Sequence, residues 1–144
     1  MTQIGQYPNA FYRVSVKAVI RNDRGEVLLV KENNNEAWNL PGGGMDHGES
    51  EYDCLTRELY EEVGYKGTFS LSPIGIQPMY IPTKDACQLW VVFEVHTENM
   101  NFAPGPEAHE ICWKDPHEFH DATERPYNFI YKFCVDPSRQ LKFQ

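Results

Sequence analysis

The sequence predicts an α/β sandwich around a mixed β-sheet. Two observations carry that prediction. Several stretches alternate apolar and polar residues with a period of two, and two others carry apolar residues at helical spacing. A third supports it: short turn signals separate these stretches, with no linker, repeat or low-complexity tract between them.

Residues 1–10 read as a leader, and residues 11–144 as one domain. From Phe11 to Ile20 the chain alternates, with Val14, Val16, Ala18 and Ile20 on one face and Arg13, Ser15 and Lys17 on the other. Asn22, Asp23, Arg24 and Gly25 read as a hairpin turn, because Asn and Gly tolerate positive φ. Glu26 to Lys31 is the returning strand, and three asparagines, 33–35, mark a polar loop. Trp38 to Pro41 is extended and leads into three glycines. Ser50 to Val63 is the clearest helix: Ser50 is a good N-cap, Asp53 completes a capping box, and Gly64 ends it. Leu71 to Ile81 reads as a strand interrupted by Pro73 and Pro78. Gln88 to Val95 is apolar on both faces and reads as a central, doubly covered strand. Glu110 to Lys114 is a short strand, and Tyr127 to Val135 a helix with Phe129, Ile130, Phe133 and Cys134 inward.

Composition narrows the function. The formal charge is −8, from 21 acidic against 13 basic residues, which argues against nucleic acid or an anionic membrane as partner. An acidic protein that handles phosphates needs a cation between itself and its ligand. No stretch approaches 18 apolar residues, and Met1 to Asn9 lacks a basic region followed by an apolar run, so a cytoplasmic setting is expected. Cys54, Cys87, Cys112 and Cys134 form no C-x-x-C pair and read as reduced thiols. The oligomeric state stays open, a homodimer included.

The central helix carries the chemistry. On a wheel of 100° per residue, Tyr52, Leu55, Leu59 and Val63 form one stripe facing the core. Glu58, Glu61 and Glu62 form an adjacent stripe at i, i+3 and i+4, where ionised carboxylates repel one another. Arg57, four residues before Glu61, relieves part of that, and a hard divalent cation such as Mg²⁺ relieves it better. Three glutamates alone also make a common solvated acidic face. Gly42, Gly43 and Gly44 precede the helix, and glycines let backbone approach a ligand closely.

Taken together, the segment from Gly43, GGMDHGESEYDCLTRELYEEVGY, resembles the Nudix box, G-x5-E-x7-R-E-U-x-E-E-x-G-U, with U a bulky apolar residue. Gly43, Glu49, Arg57, Glu58, Glu61, Glu62 and Gly64 match, and Leu59 fills the first U. Seven such matches arise by chance about once in 10⁸ to 10⁹ starting points. Tyr65 fills the last U, where an aliphatic residue is usual, and Cys54 and Leu55 stand where small alanines are common. The resemblance reaches beyond the box, to W-N-L-P-G-G before it and to Glu107–Trp113 after it.

The resemblance implies a Nudix fold, an α/β/α sandwich in a single domain, and hydrolysis of a diphosphate linkage in a nucleoside diphosphate-linked small molecule. It implies metal ligation by Glu58, Glu61 and Glu62 with the Gly43 carbonyl nearby, the metal being Mg²⁺, with Mn²⁺ an alternative. Glu58 or Glu61 is then the base for the attacking water, and Glu49 with Arg57 orients the catalytic carboxylates. A further carboxylate is expected from Glu107 or Glu110, which the sequence weighs equally against ordinary loop acids. For substrate, Arg13, Ser15 and Lys17 suit a phosphate or base edge, and equally a solvated edge strand. Trp38 and Tyr80 are candidates for stacking on a base, against a packing role. A nucleoside triphosphate or dinucleotide is the favoured substrate. The alternatives are ADP-ribose or a nucleotide sugar, a domain that senses nucleotides without cleaving them, or an isomerase on the same fold.

Overall fold

In the computed structural model the described residues are 11–143, together with the backbone of Gln3–Ile4 (β1) and Tyr7–Pro8 (β2), which pair antiparallel. The leader expected at residues 1–10 otherwise lies outside the described residues.

Alternation from Phe11 to Ile20 becomes the strand Tyr12–Val19 (β3). The turn signal at 22–25 is a real turn: Gly25 N–H donates to the Asn22 carbonyl at 3.0 Å, and Gly25 has φ +77°. The returning strand, Val27–Glu32 (β4), does not stay in the sheet of β3. It pairs antiparallel with Ala108–Lys114 (β8). The glycines form Gly42–Gly44 (β5), which pairs antiparallel with β3. Phe69–Ile81 (β6) is longer than expected: Pro73 falls at a register shift between Pro73 and Gly75, and Pro78 stays in register opposite Leu89 on what is the edge strand of the sheet. Ala86–Thr97 (β7) lies between β6 and β3, antiparallel to the first and parallel to the second. The sheet order is therefore β5-β3-β7-β6, mixed as expected, with β4–β8 as a second, two-stranded sheet.

Each helix covers one side. The helix Glu51–Val63 (α1) has the expected capping box, with Ser50 Oγ accepting from Asp53 N–H at 3.1 Å and Gly64 ending it at φ +63°. Leu55, Leu59 and Val63 are fully buried against Val16 and Ala18 of β3, Ile20 just beyond it, and Leu28 and Val30 of β4. Full burial of side chains of this size contributes about 1.5–3 kcal/mol each. The helix Tyr127–Cys134 (α2) buries Phe129, Ile130, Phe133 and Cys134 on the opposite side, against Val19, Leu29, Trp90 and Val92.

Two expectations need correction. Tyr52 is 40% exposed and stacks on Phe69, ring centroids 4.4 Å apart, rather than entering the core. The buried arc of α1 turns toward Cys54, Glu58 and Glu62, leaving Tyr52 at its rim with exposed Tyr60. Nor is β3 an edge strand. With β5 and β7 on its two sides, and α2 over its second face, Ser15 and Lys17 are each 3% exposed. Among the described residues no helix is long and apolar enough to cross a membrane.

Candidate active site

The glutamates of α1 diverge once the helix is packed. Glu58 and Glu61 turn toward Glu107, and one carboxylate oxygen of each lies within 4.8 Å of the other two. Glu62, 2% exposed, points instead to the Gly42 backbone, where its Oε1 accepts the N–H at 2.7 Å.

Glu107 reaches this cluster through the last turn of α1. A helix ends with carbonyls that have no partner within it. Here the segment before β8 supplies the donors: Ala103 N–H to the Val63 carbonyl at 3.0 Å, Gly105 N–H to Glu62 at 3.0 Å, and Glu107 N–H to Glu61 at 2.8 Å. Only glycine fits at 105, since a Cβ there would stand 2.3 Å from the Glu61 carbonyl oxygen. Phe102, packed between Tyr65 and Trp113, anchors the same segment in the core. Glu110 takes no part in the cluster. It sits on β8, half exposed, 3.8 Å from the Lys31 ammonium.

The glycines of β5 are explained in the same way. A Cβ on Gly43 would lie 2.6 Å from Glu58 Oε1, so the bare backbone makes room for the carboxylate. The Gly43 carbonyl, expected near a metal, lies beside the Cys54 thiol at 3.5 Å. Gly42 adopts φ +128°, and a Cβ there would collide with the Val16 carbonyl oxygen at 2.0 Å.

Arg57 ties the arrangement together. Its Nε and Nη2 grip Glu49 at 2.9 and 2.8 Å, Nη1 donates to Glu58 Oε1 at 2.8 Å and reaches Glu61 Oε2 at 3.4 Å, and Nη2 donates to the Gly44 carbonyl at 3.0 Å. This two-point grip is specific to a planar guanidinium. It holds the Glu49 carboxyl down at about 2, with the Asp46 N–H adding to the effect. Burial raises Glu58, against the pull of Arg57. Burial also raises Glu61, reinforced by the hydrogen bond and charge of Glu107. Burial holds Glu62 well above the ordinary carboxylate range, opposed by Lys17 and reinforced by a hydrogen bond with Glu32. Glu58 and Glu61, both raised and both beside Glu107, form a cluster that gains from a cation.

The cluster opens on a cleft of about 790 Å³, of the size that takes a small-molecule ligand. Ser15 and Lys17 line it, as the sequence suggested. Lys17 donates to the Gly42 carbonyl at 3.1 Å and stands 5.0 Å over the Trp90 ring, while Ser15 Oγ accepts from Gln88. Arg13 stays outside the cleft lining, 56% exposed, bonded to the Met45 carbonyl and 3.7 Å from Asp46. Trp38 and Tyr80 also lie outside it: Trp38 packs on the α2 core under Lys31, and the Tyr80 hydroxyl binds Asp85. Trp90 and Phe129, ring centroids 5.1 Å apart, are 5% and 3% exposed in the α2 core, as a doubly covered strand and an inward helix face predict, and they also form part of the cleft lining. Trp90 sits in an almost uniformly apolar strand and Phe129 on an apolar helix face, so neither stood out.

The profile of the NUDIX domain matches residues 11–133. The chain belongs to the Nudix family. An RNA pyrophosphohydrolase of Ruthia magnifica subsp. Calyptogena magnifica is 55% identical over 53 residues, 37% of this chain and 30% of that protein. The chain thus matches under a third of that relative's length. A Bacillus subtilis (strain 168) protein named as an 8-oxo-dGTP diphosphatase is 31% identical over 105 residues, 73% of this chain and 68% of its own length. Among solved structures, a MutT protein of Methanosarcina mazei Go1 superposes with TM-score 0.71 at 24% identity, covering 89% of this chain and 96% of that one. Its likeness is one of fold.

The Nudix glutamates suit a hard divalent ion. Carboxylate oxygens are the donors Mg²⁺ prefers, and Mn²⁺ accepts them too. Glu58, Glu61 and Glu107 present three oxygens close enough for one ion, while Glu62 is turned to the Gly42 N–H and the Gly43 carbonyl to the Cys54 thiol.

Proposed function

We propose that this Nudix chain is a hydrolase that cleaves a diphosphate linkage in a nucleotide-like substrate with the help of Mg²⁺ or Mn²⁺. The observation that carries the reading is the convergence of Glu58, Glu61 and Glu107 at the mouth of a nucleotide-sized cleft, with Arg57 holding two of the three. Glu58, Glu61 and Glu107 are the residues that would hold the ion, which when bound neutralises phosphate charge and makes a water more acidic. The water attacks phosphorus, the P–O bond to the departing phosphate or phosphate ester breaks, and the water's proton passes to Glu58 or Glu61. Arg57 fixes the orientation of those carboxylates, and Glu49 fixes Arg57.

The nucleoside lies in the cleft, whose apolar floor includes the nearly buried Trp90 and Phe129. A nucleoside triphosphate or a dinucleotide is the favoured substrate, in keeping with relatives named for RNA pyrophosphohydrolase and 8-oxo-dGTP diphosphatase activity. ADP-ribose and nucleotide sugars are the alternatives. The test is a panel of these substrates with millimolar Mg²⁺, reading phosphate, pyrophosphate and nucleoside monophosphate release. Turnover lost with EDTA and in Glu61→Gln supports the reading. Absence of turnover on every substrate with either metal leaves a nucleotide-sensing domain in its place.

A further inference from the structure

The cleft has a second end. The sheet order β5-β3-β7-β6 gives it a direction, since it crosses the strands on their α2 side. At the β5 edge stand the carboxylates, and in the middle Lys17 and then Trp90 with Phe129. At the β6 edge the lining is Met79, Ile81, Lys84 and Arg125. Every acid that lines the cleft belongs to the first end: Glu32 on β4, Glu58 and Glu62 on α1, and Glu107. Among the described residues the charged side chains lining the far end are both cations, beside the apolar Met79 and Ile81, in a protein of net charge −8. Lys84 closes the turn from β6 to β7 and is exposed. Arg125 stands just before α2, held at the wall by its bond from Nη1 to the Tyr80 carbonyl at 2.9 Å. The Asp85 carboxylate accepts from the Tyr80 hydroxyl at 2.5 Å.

We infer that Lys84 and Arg125 form a distal anion site, and that the substrate is a nucleotide anhydride carrying a second phosphoryl group on its ribose, beyond the bond that is cleaved. Three strand spacings separate β5 from β6, roughly 14 Å. A nucleoside diphosphate stretched from a cation-held terminal phosphate to its ribose 3′ oxygen covers most of that span, with the base passing Trp90 and Phe129. A phosphoryl group on that oxygen then meets a lysine and an arginine, both phosphate donors. ADP-ribose places an uncharged sugar at its far end and makes no use of this pair. The inference rests on the hydrolase reading above.

The 3′ phosphoryl group has two sources, a terminal 3′-phosphate or the first phosphodiester of an oligonucleotide, and the experiment separates them. With Mg²⁺, kcat/KM is measured on a nucleoside 5′-triphosphate, on the same nucleotide with a 3′-phosphate, and on the 5′-triphosphorylated dinucleotide, for each of the four bases. The expected result is about a tenfold gain from the added phosphoryl group, the size of one charge-assisted contact. In Lys84→Gln that ratio collapses toward one, and in Lys84→Arg it is retained. A gain on both modified substrates shows that the site reads the phosphoryl group itself, and a gain on one names the source. Cleavage of the plain triphosphate without gain on either, or a gain unchanged in Lys84→Gln, overturns the distal site and leaves the hydrolase standing. Failure to cleave any of the three overturns the hydrolase reading and this inference with it.

Discussion

At the scale of single residues, Arg57 separates structure from catalysis. It binds Glu49 at two points and reaches Glu58 and Glu61 with the remaining nitrogen. A lysine keeps the charge and loses the planar fork. Arg57→Lys is therefore expected to lower kcat by about 10- to 100-fold, as loss of a carboxylate-orienting partner does. Its stability should change by no more than about 1 kcal/mol, because partly exposed pairs contribute little. Full turnover in this variant would reduce Arg57 to a helix salt bridge. Glu61→Gln removes one member of the three-carboxylate cluster and keeps its shape. A large fall in kcat with an unchanged melting curve is expected, and wild-type turnover would remove Glu61 from the chemistry.

At the scale of elements, the joint between α1 and the segment before β8 decides whether Glu107 arrives. Gly105→Ala puts a methyl against the Glu61 and Tyr60 carbonyls and must push the segment outward. The expected outcome is a weaker response to Mg²⁺, with a concentration for half-maximal activity raised several-fold, and little change in far-UV helicity. Ser50→Ala makes the contrast. It removes the N-cap of the same helix and should cost about 1 kcal/mol of stability without altering metal dependence. Equal metal dependence in both variants would show that the joint does not position Glu107.

This joint also marks the limit of what the sequence discloses. Ser50, Asp53, Gly64 and the spacing of Glu58 to Glu62 are local signals, and the helix formed where they placed it. The choice of Glu107 over Glu110 depends on hydrogen bonds to a helix end far back in the chain, which no local pattern encodes. The same holds for the cleft aromatics. The sequence offers Trp38 and Tyr80 for stacking on a base, against a packing role, whereas Trp90 and Phe129 occupy apolar segments and line the cleft because β7 and α2 form its wall. The polar face of β3 was legible as a pattern, but its burial became visible only with β5, β7 and α2 in place.

At the scale of the whole molecule, the excess of acid sets the response to metal and pH. Glu58, Glu61 and Glu62 are all raised in the folded chain, chiefly by burial. A carboxyl raised on folding binds its proton more tightly in the native state, so its contribution is fully present below its unfolded value near 4.5 and is lost as pH rises through the folded value. Without metal, these three groups should make the protein gain stability on mild acidification from neutral pH. Millimolar Mg²⁺ should raise the melting temperature at neutral pH, by the equivalent of about 2.7 kcal/mol at a hundredfold excess over its dissociation constant. That gain should shrink as protons compete for the same oxygens. Differential scanning fluorimetry between pH 5 and 8, with EDTA or Mg²⁺, reads both effects. A melting temperature indifferent to metal at every pH, together with unchanged activity, would end the metal role.

The division of the strands into two sheets has a kinetic consequence. Strand β3 finds its partner β7, and β4 finds β8, only after the intervening chain, α1 included, has been placed. Contacts between segments so distant along the chain form slowly, while a capped helix forms early. During refolding from denaturant, the circular dichroism of α1 should therefore return before catalysis, because the cluster needs Glu107 and Glu107 needs β8. Recovered activity would then report the completed topology, and helicity would report only its first piece.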